Sequence, residues 1–278
     1  MIKNKKIIPV SSLREGFDDA GTPDLKYYAF DWDDNLMYMP TKIVLIDDKG
    51  DEVGMSTEDF AEHRHQIGKE NFNYKGNTIV GYAENPYRFF RTGGDKQFKI
   101  DAMKAKTGPA WSDFVEAINN GSIFSIITAR GHNPETFKDT IYNMIVSDHQ
   151  GINKQLLLKN LRKYRDISDM EDKKDNELIK DYLEMNRYYP VSFLDPTGAG
   201  NPEQLKVDAM KDFISYVKDE AKKIGKKVYV KDDVKNRFVP QIGFSDDDLK
   251  NVETMKKHFE DEPSLKTYYT AKGTKTRY

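Results

Sequence analysis

Cysteine is absent from the chain, which excludes disulfides, zinc–thiolate centres and cysteine nucleophiles. Apolar residues are sparse: they make up 37% of the sequence against 32% charged residues. Aromatic residues reach 12%, so the composition stays clear of disorder and the core must draw on Phe, Tyr and Ile. An excess of either charge is also lacking. The net charge of -2 argues against nucleic-acid binding by bulk electrostatics and leaves only a local basic patch open. Long apolar runs are missing too. The opening MIKNKKIIPVSS holds a stretch too short for a signal peptide, and no segment approaches a membrane span. The expectation is a soluble, cytoplasmic protein with no membrane partner. Its 278 residues suit one large domain, or a core domain with an insertion.

There is no internal repeat and no low-complexity tract. Residues 1–26 read as an irregular leader. YYAF (27–30) reads as a short buried strand, KIVLIDDKGDEVGMS (42–56) as a β-hairpin turning over Asp48–Gly50, and TEDFAEHRHQI (57–67) as a short helix. Residues 68–108, rich in Gly, Asn, Lys and aromatics, carry few periodic signals and read as a loop-rich insertion. PAWSDFVEAINNG (109–121) is a helix with Trp111, Phe114, Val115 and Ile118 on one face and Gly121 at its end. SIFSIIT (122–128) follows as an apolar strand, and NPETFKDTIYNMIV (133–146) as another helix. That helix–strand–helix rhythm predicts a parallel α/β sheet. Residues 150–187 are charged and helical in pieces. PVSFLD (190–195) reads as a core strand, QLKVDAMKDFISYVKDEAKKIG (204–225) as an amphipathic helix, and VPQIGFS (239–245) as a final strand leading into a helix. The basic C-terminal residues read as an edge strand or tail.

The stretch FDWDDNL is the chemically pointed one, because an apolar strand runs into Asp31, Asp33 and Asp34. Ionised carboxylates behind a buried strand need a partner. A calcium loop does not fit: Leu36 stands where its glycine belongs and Lys42 where its glutamate belongs. An ordinary acidic turn is the structural alternative. A nucleophile directed at phosphorus is the chemical one. It requires a metal, a hydroxyl for the phosphoryl oxygens and a facing cation. GFSDDDL supplies acids at another strand end, IITARG supplies Thr128, and Lys206 opens the amphipathic helix. Strand ends at one edge of a parallel sheet are where such parts meet.

In this order the segments resemble the four motifs of the haloacid dehalogenase-like (HAD) superfamily. AFDWDDNL resembles the first motif, with Asn35 in place of the usual threonine. SIFSIIT resembles the second, Lys206 the third and QIGFSDDDLKN the fourth, over residues 27–251. Lys211 and Lys227 are weaker alternatives for the third. The resemblance implies an α/β fold with a Rossmann-like three-layer core around a parallel sheet and a cap inserted after the first strand. Residues 1–40 and 108–278 would form the core, and 41–107 the cap.

It further implies an Mg²⁺-dependent phosphatase working through an aspartyl-phosphate. Asp31 would be the nucleophile. Asp33 would be the acid/base, protonated in the first step because its acidic neighbours raise its proton affinity. Mg²⁺ would sit on Asp31, the Asp33 carbonyl and Asp246, with Asp247 assisting and Asp248 as a helix-start acid. Thr128 and Lys206 would hold the phosphoryl oxygens; either could instead be structural, capping a helix or facing solvent. Asp34 reads as a solvated turn residue.

The roughly ninety residues between the first two motifs are long for a connection. Within them NPYRFFRTGGDKQFK (85–99) offers Arg88, Arg91 and Lys96 to a second anion, and Phe89 or Phe90 to a base; a packed aromatic pair between solvated bases is the structural alternative. Arg130, two residues past Thr128, faces either the phosphate or an acid such as Glu135. His63 and His65, two apart on a helix, do not share a face for a metal. The implied substrate is a small phosphorylated metabolite or a nucleotide. A phosphatase of nucleic-acid ends and a silent HAD-fold scaffold are the alternatives.

Overall fold

The structure is a computed structural model that describes residues 26–164, 173–195, 200–228, 240–271 and 273–278. The leader apart from Lys26, residues 196–199 of the loop before the amphipathic helix, and the Lys227 side chain lie outside the described residues. From its start the described chain forms β1 (Lys26–Phe30), β2 (Met37–Tyr38), β3 (Ile43–Asp47), β4 (Glu52–Met55), α1 (Thr57–His63), β5 (Phe72–Tyr74) and β6 (Asn77–Tyr82). Next come α2 (Asp95–Ala102), β7 (Lys106–Thr107), α3 (Trp111–Asn120), β8 (Phe124–Thr128), α4 (Pro134–Val146), α5 (Lys154–Tyr164) and α6 (Asp175–Glu184). The chain closes with β9 (Arg187–Pro190), α7 (Val191–Leu194), α8 (Pro202–Val228), β10 (Gln241–Asp246), α9 (Leu249–His258), β11 (Leu265–Ala271) and β12 (Thr274–Arg277).

The protein is mixed α/β. Its six-stranded sheet has the order β12-β11-β10-β1-β8-β9, parallel except for the antiparallel edge strand β12. Alternate side chains of the central strands enter different cores, as a sheet covered on both faces requires. Phe30, Phe124 and Ile126 pack with the inner faces of α3, α4, α5 and α6. Tyr27, Ala29, Ile127, Ile242 and Phe244 pack with Val207, Met210, Phe213 and Val217 of α8 and Met255 of α9. Local signals set the helix limits. Gly121 ends α3 in the left-handed conformation, at φ 68. Asn133 caps α4 by accepting from the Glu135 amide, and Pro134 occupies the first turn.

From β1 the connections run outwards to β8 and β9, then cross back to β10 and β11. They reverse direction between β1 and β10, and open sheets of this kind bind ligands outside the carboxyl ends of the strands at such a point. Asp31, Thr128 and Asp246 all stand at those ends.

Two expectations are corrected. PVSFLD is not a core strand. The strand is β9, whose Tyr188 and Tyr189 pair with Ile126 and Ile127, and it ends at Pro190, where α7 begins. Phe193 and Leu194 are exposed, so the apolar run misled because most of it fills no core. Residues 68–108 are also more than loop. β5 and β6 complete an antiparallel sheet of order β4-β3-β6-β5. α2 enters the main core through Phe98, whose ring centroid lies 5.4 Å from that of Trp32 and 5.0 Å from that of Phe137. These elements are short and carry few buried side chains, which left their periodicity faint.

The segment holding the four-stranded sheet leaves and rejoins the main sheet at one place. β2 and β7 pair antiparallel there, Met37 with Thr107 and Tyr38 with Lys106. Gly108 follows directly, its amide 2.7 Å from the Leu36 carbonyl. A Cβ at position 108 would stand 2.4 Å from the Asn35 carbonyl oxygen, so only glycine fits without moving backbone.

Phe98→Ala should cost about 3–5 kcal/mol of stability in urea denaturation, as expected of a buried core ring. Phe89→Ala, at a ring 51% exposed, should stay within about 0.5 kcal/mol. Equal effects would contradict the placement of α2 in the core.

Candidate active site

Three strand ends are tied together before any acid is considered. The Asp31 amide donates to the Ser245 carbonyl at 2.9 Å. Asn35, fully buried, donates through Nδ2 to the Asp31 carbonyl (2.9 Å), the Ser245 carbonyl (3.2 Å) and Ser245 Oγ (3.1 Å). Its Oδ1 accepts from Thr270 Oγ1 at 2.7 Å. The residue that departs from the HAD pattern therefore fastens the ends of β1, β10 and β11, with all its polar atoms satisfied.

Above that knot lies a buried ionic bridge. Lys206 Nζ is 2.7 Å from Asp31 Oδ1 and 2.7 Å from Asp246 Oδ2, and all three residues are almost without solvent exposure. Asp246 also accepts from the Asp248 amide (2.9 Å) and from Asn251 Nδ2 (3.0 and 3.1 Å). Asp248 caps α9 by accepting from the Lys250 amide, the helix-start place expected of it. Ligand oxygens of Asp31, Asp246 and Asp247 lie within 4.8 Å of one another.

Burial pushes the Asp31 carboxyl well above the usual carboxylate range; Lys206 opposes this, while Asp246 and Asp33 reinforce it. Burial, with Asp246 and Asp31, raises Asp247 in the same way. For Lys206, burial is outweighed by Asp246 and Asp31, and its ammonium is held more firmly than usual. Five carboxyls (31, 33, 34, 246 and 247) thus share Lys206 and Arg130 as their close cations, leaving a deficit of positive charge. A hard divalent cation on oxygen ligands fits that donor set.

Asp33 differs from expectation. Its oxygens accept from Arg130 Nε (2.7 Å) and Nη2 (2.6 Å) in a two-pronged ion pair. Arg130 is 1% exposed and also donates to Thr41 Oγ1 at 3.1 Å. Its guanidinium carbon lies 4.6 Å from the Phe90 ring centroid and 5.0 Å from that of Phe98. Arg130 is thus paired with an acid, as one of its two readings expects, but with Asp33 and not Glu135, which pairs with Lys138. The acidic neighbours alone do not set the surroundings of Asp33, and its carbonyl oxygen accepts from the Asn35 amide at 2.6 Å.

Asp34 is not a solvated turn residue. It is 9% exposed, its φ is 54, and Oδ2 has no hydrogen-bond partner. Burial lifts its carboxyl to about 6. The acid was visible in the sequence, but the left-handed turn that tucks it inwards was not.

A cavity of about 1120 Å³ opens over these groups. Asp31, Asp33, Asp34, Thr128, Lys206, Asp246 and Asp247 line one side of it, and α1, Tyr82, Tyr87 and Phe90–Thr92 line the other. Thr128 is almost fully buried there, its Oγ1 accepting from the Arg130 amide at 3.4 Å. Arg91 reaches the cavity. Arg88 does not line it, and is paired with Glu52 at 2.5 Å. Phe90 lines the wall, while Phe89 points to solvent. Arg64 of α1 reaches Asp248 at 3.0 Å and ties the two sides of the cavity together. Asn251, Thr41, Phe60 and Tyr82 give no sequence signal for roles here.

Comparison with protein-family models, with curated proteins and with solved structures returns no match. Among the described residues no helix is long and apolar enough to cross a membrane.

Lys206→Met should lower stability by about 3–5 kcal/mol at pH 7 without divalent cations, because it strands two buried carboxylates. Urea denaturation reads the loss, and an unchanged midpoint would contradict the bridge. His132, fully buried beside Arg130, has no hydrogen-bond partner on either ring nitrogen, and burial lowers it to about 4. Unfolded, it titrates near 6.5, so between these values the unfolded chain binds more protons. Its contribution is full above about pH 6.5 and is lost as pH falls towards 4, by up to about 3 kcal/mol. In His132→Phe the decline over that window should be shallower, as seen in denaturation midpoints across pH.

Proposed function

We propose that this chain is an Mg²⁺-dependent phosphomonoester hydrolase of the HAD superfamily, with a Rossmann-like core and the four-stranded sheet as its cap. The observation that carries the proposal is the buried Lys206 bridge. It joins acids at the carboxyl ends of neighbouring parallel strands, beside a third acid and Thr128, on the floor of one cavity.

Asp31, Asp246 and Asp247 would hold the ion, with the Asp33 carbonyl as a further donor. When bound, Mg²⁺ offsets phosphoryl charge and orients the ester. Asp31 would attack phosphorus as the P–O bond to the alcohol breaks, the alcohol leaving with a proton from Asp33, and water would then cleave the aspartyl-phosphate to release phosphate and restore Asp31. Lys206 keeps the Asp31 carboxylate in place and supplies a cation to the transferring oxygens. Thr128 donates its hydroxyl to one of them. Arg130 fixes the orientation of Asp33. In the second step Asp33 would take a proton from the attacking water, giving up one Arg130 bond as it does so. Acting as the acid in the first step requires it to carry a proton in place of one Arg130 bond.

A small phosphorylated metabolite or a nucleotide suits a cleft of this size. Cleavage of nucleic-acid ends would need a basic groove, and the pairing of Arg88 with Glu52 takes one of its cations away.

The test is hydrolysis of a panel of phosphomonoesters, nucleotides and end-phosphorylated oligonucleotides, with Mg²⁺ and with chelator. Turnover should need Mg²⁺ and fall at least about a thousandfold in Asp31→Asn. Activity equal in the variant, or no turnover on any member, would sink the hydrolase and favour a silent binding protein.

A further inference from the structure

The wall facing the acids is aromatic. Phe60, Tyr82 and Tyr87 form a triangle with ring centroids 6.0, 6.2 and 6.4 Å apart, and all three line the cavity over Asp31 and Lys206. Phe60 stands on α1 with Thr57, and Arg64 caps its end, three and four residues away, so one helix face looks into the cavity. No residue of that helix is fully buried, although Phe60 packs on the core of the four-stranded sheet and His63 stacks on Phe72, and Tyr82 is 40% exposed. Phe60 and Tyr87 pack in part against the small core of the four-stranded sheet, and the ring surface they and Tyr82 leave over the polar floor calls for a ligand that covers it. At about 1120 Å³ the cavity matches or exceeds those that enclose whole cofactors, roughly 300–1,000 Å³. A phosphate group alone leaves most of it unfilled. Tyr82 and Tyr87, whose phenol groups hydrogen-bond each other, and Arg91 bring polar groups to the same lining. An alkyl chain makes no use of those groups. A planar heterocycle uses both its face and its edge.

Resting on the hydrolase reading of the floor, we propose that the substrate class is nucleotides: the phosphate lies at Asp31, Thr128 and Lys206, and the base packs on the Phe60–Tyr82–Tyr87 triangle.

The test compares kcat/KM for adenosine and uridine monophosphates with that for ribose 5-phosphate and glycerol 3-phosphate, in the wild type, Tyr82→Ala and Tyr82→Phe. The nucleotides should be preferred by about tenfold or more. Tyr82→Ala should lower their kcat/KM about tenfold and leave ribose 5-phosphate within about twofold, while Tyr82→Phe retains the preference. Ribose 5-phosphate turned over as well as the nucleotides, or equal losses on both in Tyr82→Ala, overturns the base site and leaves the hydrolase standing. Calorimetric binding of adenosine, which carries no phosphate, separates the opposite failure. Adenosine binding weakened about tenfold by Tyr82→Ala, with no phosphomonoester turned over, supports the base site and removes the hydrolase. Neither binding nor turnover overturns both.

Discussion

A single ammonium group holds the chemical end of this molecule together. Lys206 reaches from the start of α8 to carboxylates at the ends of β1 and β10, strands that are neighbours in the sheet but two hundred residues apart in the chain. Buried ion pairs seldom add net stability, because desolvation cancels most of the attraction. What the bridge contributes is position. It sets the depth of α8 against the sheet, and it holds Asp31 and Asp246 on one side of a shared cation. Asn35 does the neutral half of the same work, fastening the backbone beneath with hydrogen bonds that carry no charge penalty.

The second ion pair has a different purpose. The Arg130 guanidinium lies against two rings, one from the segment before α2 and one from α2 itself, and it grips Asp33 with two bonds. The loop after β8 is also joined to the wall by backbone bonds: Gly131 donates to the Phe90 carbonyl at 2.8 Å and accepts from the Thr92 amide at 3.1 Å. The wall of the cavity and the acid on its floor therefore share one scaffold. A movement of Phe90 would be felt at Asp33 through a single side chain.

Much of this was legible in the sequence where apolar runs end in polar residues. β1, β8 and β10 follow from apolar runs and the helices α3, α4 and α8 from apolar faces of period 3.6, while the meeting of Asp31, Thr128, Lys206 and Asp246 was expected from their places at strand and helix ends and from the HAD resemblance. Other features depend on contacts across the chain. Arg130 could have met phosphate, Glu135 or another acid, and only the folded arrangement brings Asp33 to it. Asp34 was misjudged because its inward direction comes from one left-handed residue. α7 looked like strand because Val191, Phe193 and Leu194 are apolar, although two of the three are exposed. The small elements of residues 68–108 bury too little to leave a strong period, and the aromatic wall has no motif at all.

The narrow neck formed by β2 and β7 bears on how such a chain can change its length. Its two ends are paired and closed by Gly108 against Asn35. The entropic cost of closing the polypeptide between them grows only with the logarithm of its length, about 0.6 kcal/mol for each doubling. Residues added to the exposed loops between the strands of the neck therefore cost little in closure entropy, while a single added methyl group at Gly108 would push on the backbone next to the acids. Tolerance to insertion and intolerance to substitution sit side by side at the same junction.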